Sequence, residues 1–162
     1  MKPDPKLNRI APDEMPDDMA SAWRHSMDLR GDATFFEVFA NHPDLYRWYV
    51  NQFYGHVFRG GKVAQRYKEL LRLRLSTLHG CRFCNQGNRL DAIEAGLTEA
   101  QIAAFESPES GPFTPAELAV LALGTELALT NSTGVLSEAL HGHLATYFDD
   151  AQILELGLVG GI

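Results

Sequence analysis

The sequence has little positive charge and no long hydrophobic run. Its 162 residues include 14 lysines and arginines against 21 aspartates and glutamates, which gives a net charge of −7. Such a chain has no electrostatic basis for binding nucleic acid or an anionic membrane, so we expect neither as a partner. No apolar run is long enough to span a bilayer. The first twenty residues carry four prolines and several acids but lack the apolar region of a secretory signal, and we therefore expect a cytoplasmic protein.

Cysteine is equally scarce, and its placement is informative. The chain has two cysteines, both in the segment Cys81-Arg82-Phe83-Cys84. On a helix this spacing puts both sulfurs on one turn, close enough to form a bridge or to share a metal. In a reducing compartment such a pair is more often catalytic or metal-binding than a structural staple. The spacing therefore predicts redox or metal chemistry, and two cysteines packed in a core are the plain alternative.

Signals for helix starts and stops divide the chain, and low-complexity segments and internal repeats are absent. Capping boxes begin at Thr98 and Thr114, and glycines stand at several predicted helix ends. The sequence predicts an all-α fold with an extended arm over residues 1–16 and a single helical domain over 17–162. The predicted helices cover 17–29, 34–39, 43–58, 62–78, 81–95, 98–105, 114–130, 136–148 and the residues from 149 onward.

Three of these segments carry further expectations. Apolar residues over 43–58, among them Leu45 and Trp48, recur at helical spacing and predict one continuous α-helix. Residues 71–75 alternate like a strand, but the segment has few β-branched residues and is rich in Glu, Lys, Arg and Leu, which favours a helix. The last residues are apolar, so we expect either that this end docks in a core or an interface, or that the natural polypeptide continues past Ile162.

The cysteines follow Gly80 at the start of a predicted helix, where unpaired backbone N–H groups favour a thiolate. His79 lies two residues before Cys81 and is placed to support the thiolate or to pass a proton. One thiolate can attack a peroxide or the disulfide of a partner, after which the second thiol closes an intramolecular disulfide. The alternative is a zinc site, with His141 and His143 as two further ligands, although their spacing is tighter than in the usual finger.

The order of these motifs resembles a known family. Glu69, then residues 72–76 (Arg-Leu-Arg-Leu-Ser), then the cysteine pair, then Gly96-Leu97-Thr98 is similar to the carboxymuconolactone decarboxylase superfamily, and closest to its alkylhydroperoxidase D-like branch. The similarity runs from about His42 to Phe105. In that branch a glutamate precedes the first cysteine by twelve residues, as Glu69 does here (81 − 69 = 12).

The resemblance implies an alkylhydroperoxidase D-like helical bundle that assembles as a homo-oligomer and has thiol-dependent peroxidase activity. It implies a hydroperoxide as the substrate, an external dithiol or a redox protein as the reductant, and no bound metal or organic cofactor. Cys84 would be oxidised to a sulfenic acid, Cys81 would be its proton donor and resolving partner, and Glu69 would belong to a proton relay. Considered alone, Glu69 would be a surface carboxylate paired with Arg66 or Arg72.

Two positions depart from the branch. Asn88 stands where the branch usually has a histidine four residues after the second cysteine, and Phe83 stands where it often has another. An amide can orient a water or a thiolate but does not titrate, so His79 would have to take over the relay. These departures leave two alternatives open: thiol–disulfide exchange with a protein partner, or a helical oligomeric binding or regulatory protein without peroxidase turnover.

Overall fold

The computed structural model describes residues 5–130 and 136–162, which are helical and contain no β-strand. This confirms the predicted all-α class. No helix among these residues is both long and apolar enough to cross a membrane. The described residues form nine α-helices: α1 (Asp17–Arg30), α2 (Thr34–Phe39), α3 (Pro43–Trp48), α4 (Gln65–Leu78), α5 (Arg82–Glu94), α6 (Glu99–Ala103), α7 (Pro115–Thr125), α8 (Glu138–Ala145) and α9 (Asp150–Gly161).

The chain divides into two compact units, of which the first ends at His56 and contains α1 to α3. The segment before α1 is attached to this unit, because the Ile10 N–H donates to the Glu37 carbonyl at 3.0 Å and Met15 is buried. Residues 1–4 of the predicted arm lie outside the described residues. The arm boundary at residue 16 and the single domain after it stay predictions. The buried core of this unit consists of Met15, Met19, Ala20, Ala40 and Tyr46.

The chain departs from the continuous α-helix predicted over 43–58. Helix α3 ends at Trp48, and Tyr49–Phe58 forms wider π-helical turns, whose hydrogen bonds reach five residues along the chain rather than four. Phe53 is buried, whereas Leu45 and Trp48 are 44% and 50% exposed. The predicted helical bounds of 43–58 are confirmed, but the helix changes type after Trp48, and the wider turns rotate the later residues relative to those of α3.

The second unit begins at Val57 and is built around α4, which packs against α5, α7 and α9. The residues that alternate like a strand, 71–75, lie inside this helix, as predicted. Because α4 has neighbours on several sides, three of its five charged residues are buried together with three of its leucines. The buried residues of α4 are Lys68, Glu69, Leu70, Leu71, Leu73, Arg74 and Ser76.

Buried cations of α4 have partners on neighbouring elements. The Lys68 Nζ lies 2.5 Å from Glu155 Oε1 on α9 and donates to the Phe58 carbonyl at 3.0 Å. The Arg74 Nη2 donates to Thr125 Oγ1 on α7 at 3.0 Å. Because a buried charge without a partner costs several kcal/mol, roughly 3–5 when one partner is removed, these contacts fix where α4 lies between α7 and α9.

Helix α7 has the central position that its nearly uniform apolar sequence predicts. Both predicted capping boxes are present, with Thr114 and Thr98 as the N-cap residues of α7 and α6. The side chain of Glu117, from the first turn of α7, is buried. Gly124 allows α7 to approach α4 closely, because a Cβ there would lie 3.0 Å from the Arg74 Cγ.

Candidate functional site

The two cysteines are joined by a disulfide at the start of α5. Cys84 stands three positions after Cys81, and the Cα atoms of the two residues lie 5.3 Å apart. Both side chains are half-buried, so the bond is neither sealed in the core nor fully exposed. A bonded pair at the edge of the core fits redox chemistry better than two thiols that only fill space.

The turn between α4 and α5 places the sulfur of Cys81 at the N-terminus of α5. Gly80 has a φ of 64°, which lets the chain reverse in a short loop, and the Cys81 N–H donates to the Ser76 carbonyl at 3.0 Å. Cys81 is the N-cap residue, and its Sγ accepts the Cys84 N–H at 3.3 Å. The helix therefore begins within one residue of the prediction. The unpaired N–H groups of its first turn stabilise a thiolate at this position when the bond is reduced.

Glu69 lies in α4 and is buried. Its side chain is 6% exposed, with Oε1 accepting from Gln65 Nε2 at 2.8 Å and Oε2 lying 3.0 Å from Arg72 Nη2. The pairing with Arg72 is one of the two that the sequence suggested. The surface location was wrong, because α4 packs against other helices on several sides. The other suggested partner, Arg66, is instead paired with Glu117 at 2.6 Å.

Burial raises the pKa of Glu69 above the usual value of a glutamate. The positive charge of Arg72, the hydrogen bond from Gln65 and the charge of Arg59 lower it, whereas the negative charge of Asp91 raises it. Among the described residues, the buried Oε2 has its ion pair with Arg72 but accepts no hydrogen bond. Glu69 is therefore a carboxyl group whose charged form is only partly compensated, which suits a group that accepts and returns a proton.

Asn88 and Asp91 bring α5 into contact with the same arginine. The Asn88 Nδ2 donates to the Arg72 carbonyl at 3.4 Å, and Asp91 Oδ2 lies 2.5 Å from Arg72 Nη2. Asn88 is one turn after Cys84, and Glu69 is one turn before Arg72. At a rise of about 1.5 Å per residue, the level of Glu69 is roughly 10 Å from the level of Cys84 along the paired helices. A proton would thus need an intermediate carrier between them.

The remaining predicted residues lie around the start of α5. His79 is the C-cap residue of α4 and is exposed, two residues before Cys81. Phe83 is half-buried in the first turn of α5. The structure thus puts Glu69 and Asn88 against one arginine, and leaves His79 exposed to solvent in the short turn before Cys81.

The zinc alternative would need ligands besides the two sulfurs. His141 and His143 are both exposed on α8, and the His143 ring contacts the Tyr147 ring. Over 5–130 and 136–162, no three His, Cys, Asp or Glu side chains lie together as a ligand set.

The sequence reasoning missed Asp91 and the way Arg72 joins the two helices. Asp91 stands three residues after Asn88, so both lie on one face of α5. That spacing was the available signal. The length of the loop between α4 and α5 favours neighbouring antiparallel helices, but it does not fix which residues face each other.

Comparisons with known proteins agree with this organisation. A model of the carboxymuconolactone decarboxylase family matches residues 43–126. The uncharacterized protein YdfG of Bacillus subtilis (strain 168) is 31% identical over 98 residues, which cover 60% of this chain and 66% of that protein, slightly less than two thirds of its length.

A solved structure shows the fold. The crystal structure of an alkylhydroperoxidase AhpD core, an uncharacterized peroxidase-related protein from Ralstonia eutropha JMP134, superposes with a TM-score of 0.76. The match covers 99% of this chain and 85% of that chain, at 15% sequence identity. The predicted alkylhydroperoxidase D-like helical fold is confirmed.

Proposed function

The chain belongs to the carboxymuconolactone decarboxylase family, and on this premise we propose that it is a thiol-dependent peroxidase that reduces hydroperoxides with Cys81 and Cys84. The observation that carries the proposal is the disulfide at the N-terminus of α5, a helix that packs against α4, which carries the buried carboxyl group of Glu69. We place the reaction in the cytoplasm, where dithiol reductants reopen such bonds.

The proposed cycle has three steps. The Cys84 thiolate attacks one oxygen of the hydroperoxide, the O–O bond breaks, and the products are a Cys84 sulfenic acid and an alkoxide that takes up a proton and leaves as the alcohol. The sulfur of Cys81 then attacks the sulfenic sulfur, the S–S bond forms, and the oxygen leaves as water. An external dithiol, or a redox protein that carries one, supplies two electrons to reopen the disulfide and is itself oxidised to a disulfide.

Protons in this cycle must pass between the sulfurs and a titratable group. Burial raises the pKa of Glu69, which brings its proton exchange closer to neutral pH. Asn88 cannot relay a proton, and we propose that the exposed His79 takes that part at the solvent side. We expect His79→Asn to slow disulfide formation, whereas the matched control His56→Asn, at another exposed histidine, leaves it unchanged. Equal rates for the two variants and the wild type would remove His79 from the relay.

The test of the function is the intact mass of the reduced, metal-free protein before and after stoichiometric hydroperoxide, with remaining thiols trapped by alkylation. We expect rapid loss of both alkylation sites and of two hydrogens, and expect Cys84→Ser to prevent it. Cys81→Ser is the matched control: it should still form the sulfenic acid, which a 1,3-diketone reagent traps at Cys84. Thiols that stay alkylatable in the wild type would reject the peroxidase.

One observation favours a second function, disulfide exchange with a protein partner. Asn88 occupies the place of the usual relay histidine, and its amide is engaged with the Arg72 carbonyl. Disulfide exchange needs a thiolate but no proton delivery to an alkoxide. Reduced protein that is inert to hydroperoxide but is oxidised rapidly by a small aromatic disulfide would select this function.

We also propose that the protein is a homo-oligomer, as the resemblance implies. Leu154, Leu158 and Ile162 recur at four-residue spacing along α9 and its end and are 76%, 45% and 53% exposed. Burying such an apolar stripe against a second copy would be favourable. Analytical ultracentrifugation tests this proposal, and a monomer at micromolar concentration would overturn it.

A further inference from the structure

We propose that Arg72 is a positioning residue that controls the charge of Glu69, and that Asp91 weakens this control by competing for the same guanidinium nitrogen. The inference deepens the proposed function and rests on it, because it assigns the residues that decide when the relay carboxyl group holds a proton.

One nitrogen atom faces both carboxylates. The Arg72 Nη2 lies 3.0 Å from Glu69 Oε2 and 2.5 Å from Asp91 Oδ2. Glu69 is on the same helix as the arginine, three residues earlier, whereas Asp91 reaches it from α5. The Asp91 side chain is 43% exposed, whereas the Glu69 side chain is 6% exposed. The cation is therefore shared between a buried carboxyl group and a solvated one.

The arginine cannot easily leave this position. Its Cζ lies 4.7 Å from the centre of the Phe58 ring, a cation–π geometry, and its side chain is 19% exposed. The carbonyl of the same residue accepts the Asn88 amide at 3.4 Å. A guanidinium that is largely buried and stacked on an aromatic ring acts on Glu69 as a fixed charge rather than as a mobile counter-ion.

Each neighbouring charge moves the pKa of Glu69 in a definite direction. Burial favours the protonated form of Glu69, the positive charge of Arg72 opposes it, and the negative charge of Asp91 adds to it. Other cations of α4 are engaged elsewhere. Besides Arg72, the charges that act on Glu69 are those of Arg59, before α4, and Asp91 of α5. Arg66 is paired with Glu117 of α7, and Lys68 is paired with Glu155 of α9.

Two substitutions should therefore act in opposite directions. Arg72→Gln removes the charge that favours ionised Glu69, so the pKa of Glu69 rises further. Asp91→Asn removes a nearby negative charge that competes with Glu69 for the guanidinium, so the pKa of Glu69 falls. A role that is only structural would not give shifts of opposite sign in two variants that break the same ion pair.

The test is a titration of the Glu69 side-chain carboxyl carbon by NMR in protein labelled with ¹³C-glutamate, with Glu69→Gln to assign the signal. We expect an upward shift of the midpoint in Arg72→Gln, a downward shift in Asp91→Asn and a midpoint close to wild type in Arg72→Lys. Arg89→Gln is the matched control, because it removes the same charge from an exposed pair between Arg89 of α5 and Glu99 of α6. It should leave the midpoint unchanged.

The rate of peroxide-dependent disulfide formation, measured against pH, should shift in the same directions. Midpoints that do not move, or that move the same way in Arg72→Gln and Asp91→Asn, would overturn the inference. If Arg72→Gln does not fold, Asp91→Asn decides the question, since an unmoved or raised midpoint in that variant contradicts it. The titration needs no turnover, so an inactive wild type with opposite shifts would reject the peroxidase while leaving the control of charge by Arg72 in place.

Discussion

Replacing Glu155 by glutamine should strongly destabilise the protein. The carboxylate of Glu155 lies 2.5 Å from the Lys68 Nζ and accepts the backbone N–H groups of Lys62 at 2.7 Å and Val63 at 3.1 Å. The Lys68 side chain is 1% exposed, so its ammonium group has almost no access to water. Glutamine keeps only one of the two acceptor oxygens and leaves a buried cation without a counter-charge.

The size of the loss follows from this burial. Removing one partner of a buried ion pair costs about 3–5 kcal/mol. For a chain of this size each kcal/mol lowers the melting temperature by about 2–4 °C, so we expect a drop of roughly 6–20 °C. Thermal and urea denaturation followed by circular dichroism measure both quantities. Glu99→Gln is the control, because it breaks an exposed pair with Arg89 and should cost less than about 1 kcal/mol.

The destabilisation caused by Glu155→Gln should also depend on pH. Burial raises the pKa of Glu155, but the hydrogen bonds from Lys68, Lys62 and Val63 outweigh it, and the net pKa is lowered. A carboxyl group with a lowered folded-state pKa contributes stability above its unfolded pKa and loses it as the pH falls through the folded pKa. The gap between wild type and Glu155→Gln should therefore close in acid. A loss below about 1 kcal/mol at neutral pH, or a gap that widens in acid, would refute the reasoning.

Three further substitutions test the site and its scaffold. Glu69→Gln should slow disulfide formation by about 10²–10⁴-fold. The same change should not lower the free energy of unfolding at neutral pH in urea titrations. The pKa of Glu69 is raised in the folded state, so ionisation of this group makes the folded protein less stable as the pH rises, and a neutral glutamine avoids that loss. Asn88→His should raise peroxide consumption by up to ~10²-fold in stopped-flow assays of reduced protein, and an inactive variant would contradict the relay argument. Gly124→Ala should cost about 1–3 kcal/mol in thermal melts, since its Cβ would lie 3.0 Å from the Arg74 Cγ, and an unchanged melting temperature would show that Arg74 can move.

Local signals in the sequence predicted much of the fold. The N-caps at Thr98 and Thr114 and the helix that begins beside Cys81 lie where their hydrogen-bonding side chains indicate. These features depend on residues three or four positions apart, which is the range over which sequence patterns act. The composition of α4 and the helical spacing of its apolar residues correctly predict a helix despite the strand-like alternation.

What the sequence could not predict depends on packing. Glu69 is buried because helices surround α4, and the same crowding places Lys68 inside the protein. Glu155 is 87 positions away from Lys68 in the sequence (155 − 68 = 87), and the residues next to a lysine do not predict so distant a partner. The π-helical turns after Trp48 were missed because apolar spacing does not distinguish them from an α-helix over so few turns.

The residues of the candidate site lie within one short stretch of the sequence. Phe58, the cysteines and every side chain proposed to handle the proton lie between residues 58 and 94, in the helical hairpin of α4 and α5 and the residues just before it. A single recombination event that moved this segment would carry the chemistry with it. The new host would have to supply helices that cover the buried leucines of α4, an anion for Lys68, a carboxylate for Arg66, and a hydroxyl and a carbonyl for Arg74. The residues proposed to carry the chemistry could therefore be inherited as one block of sequence, provided that the new helices bury α4 as α7 and α9 do here.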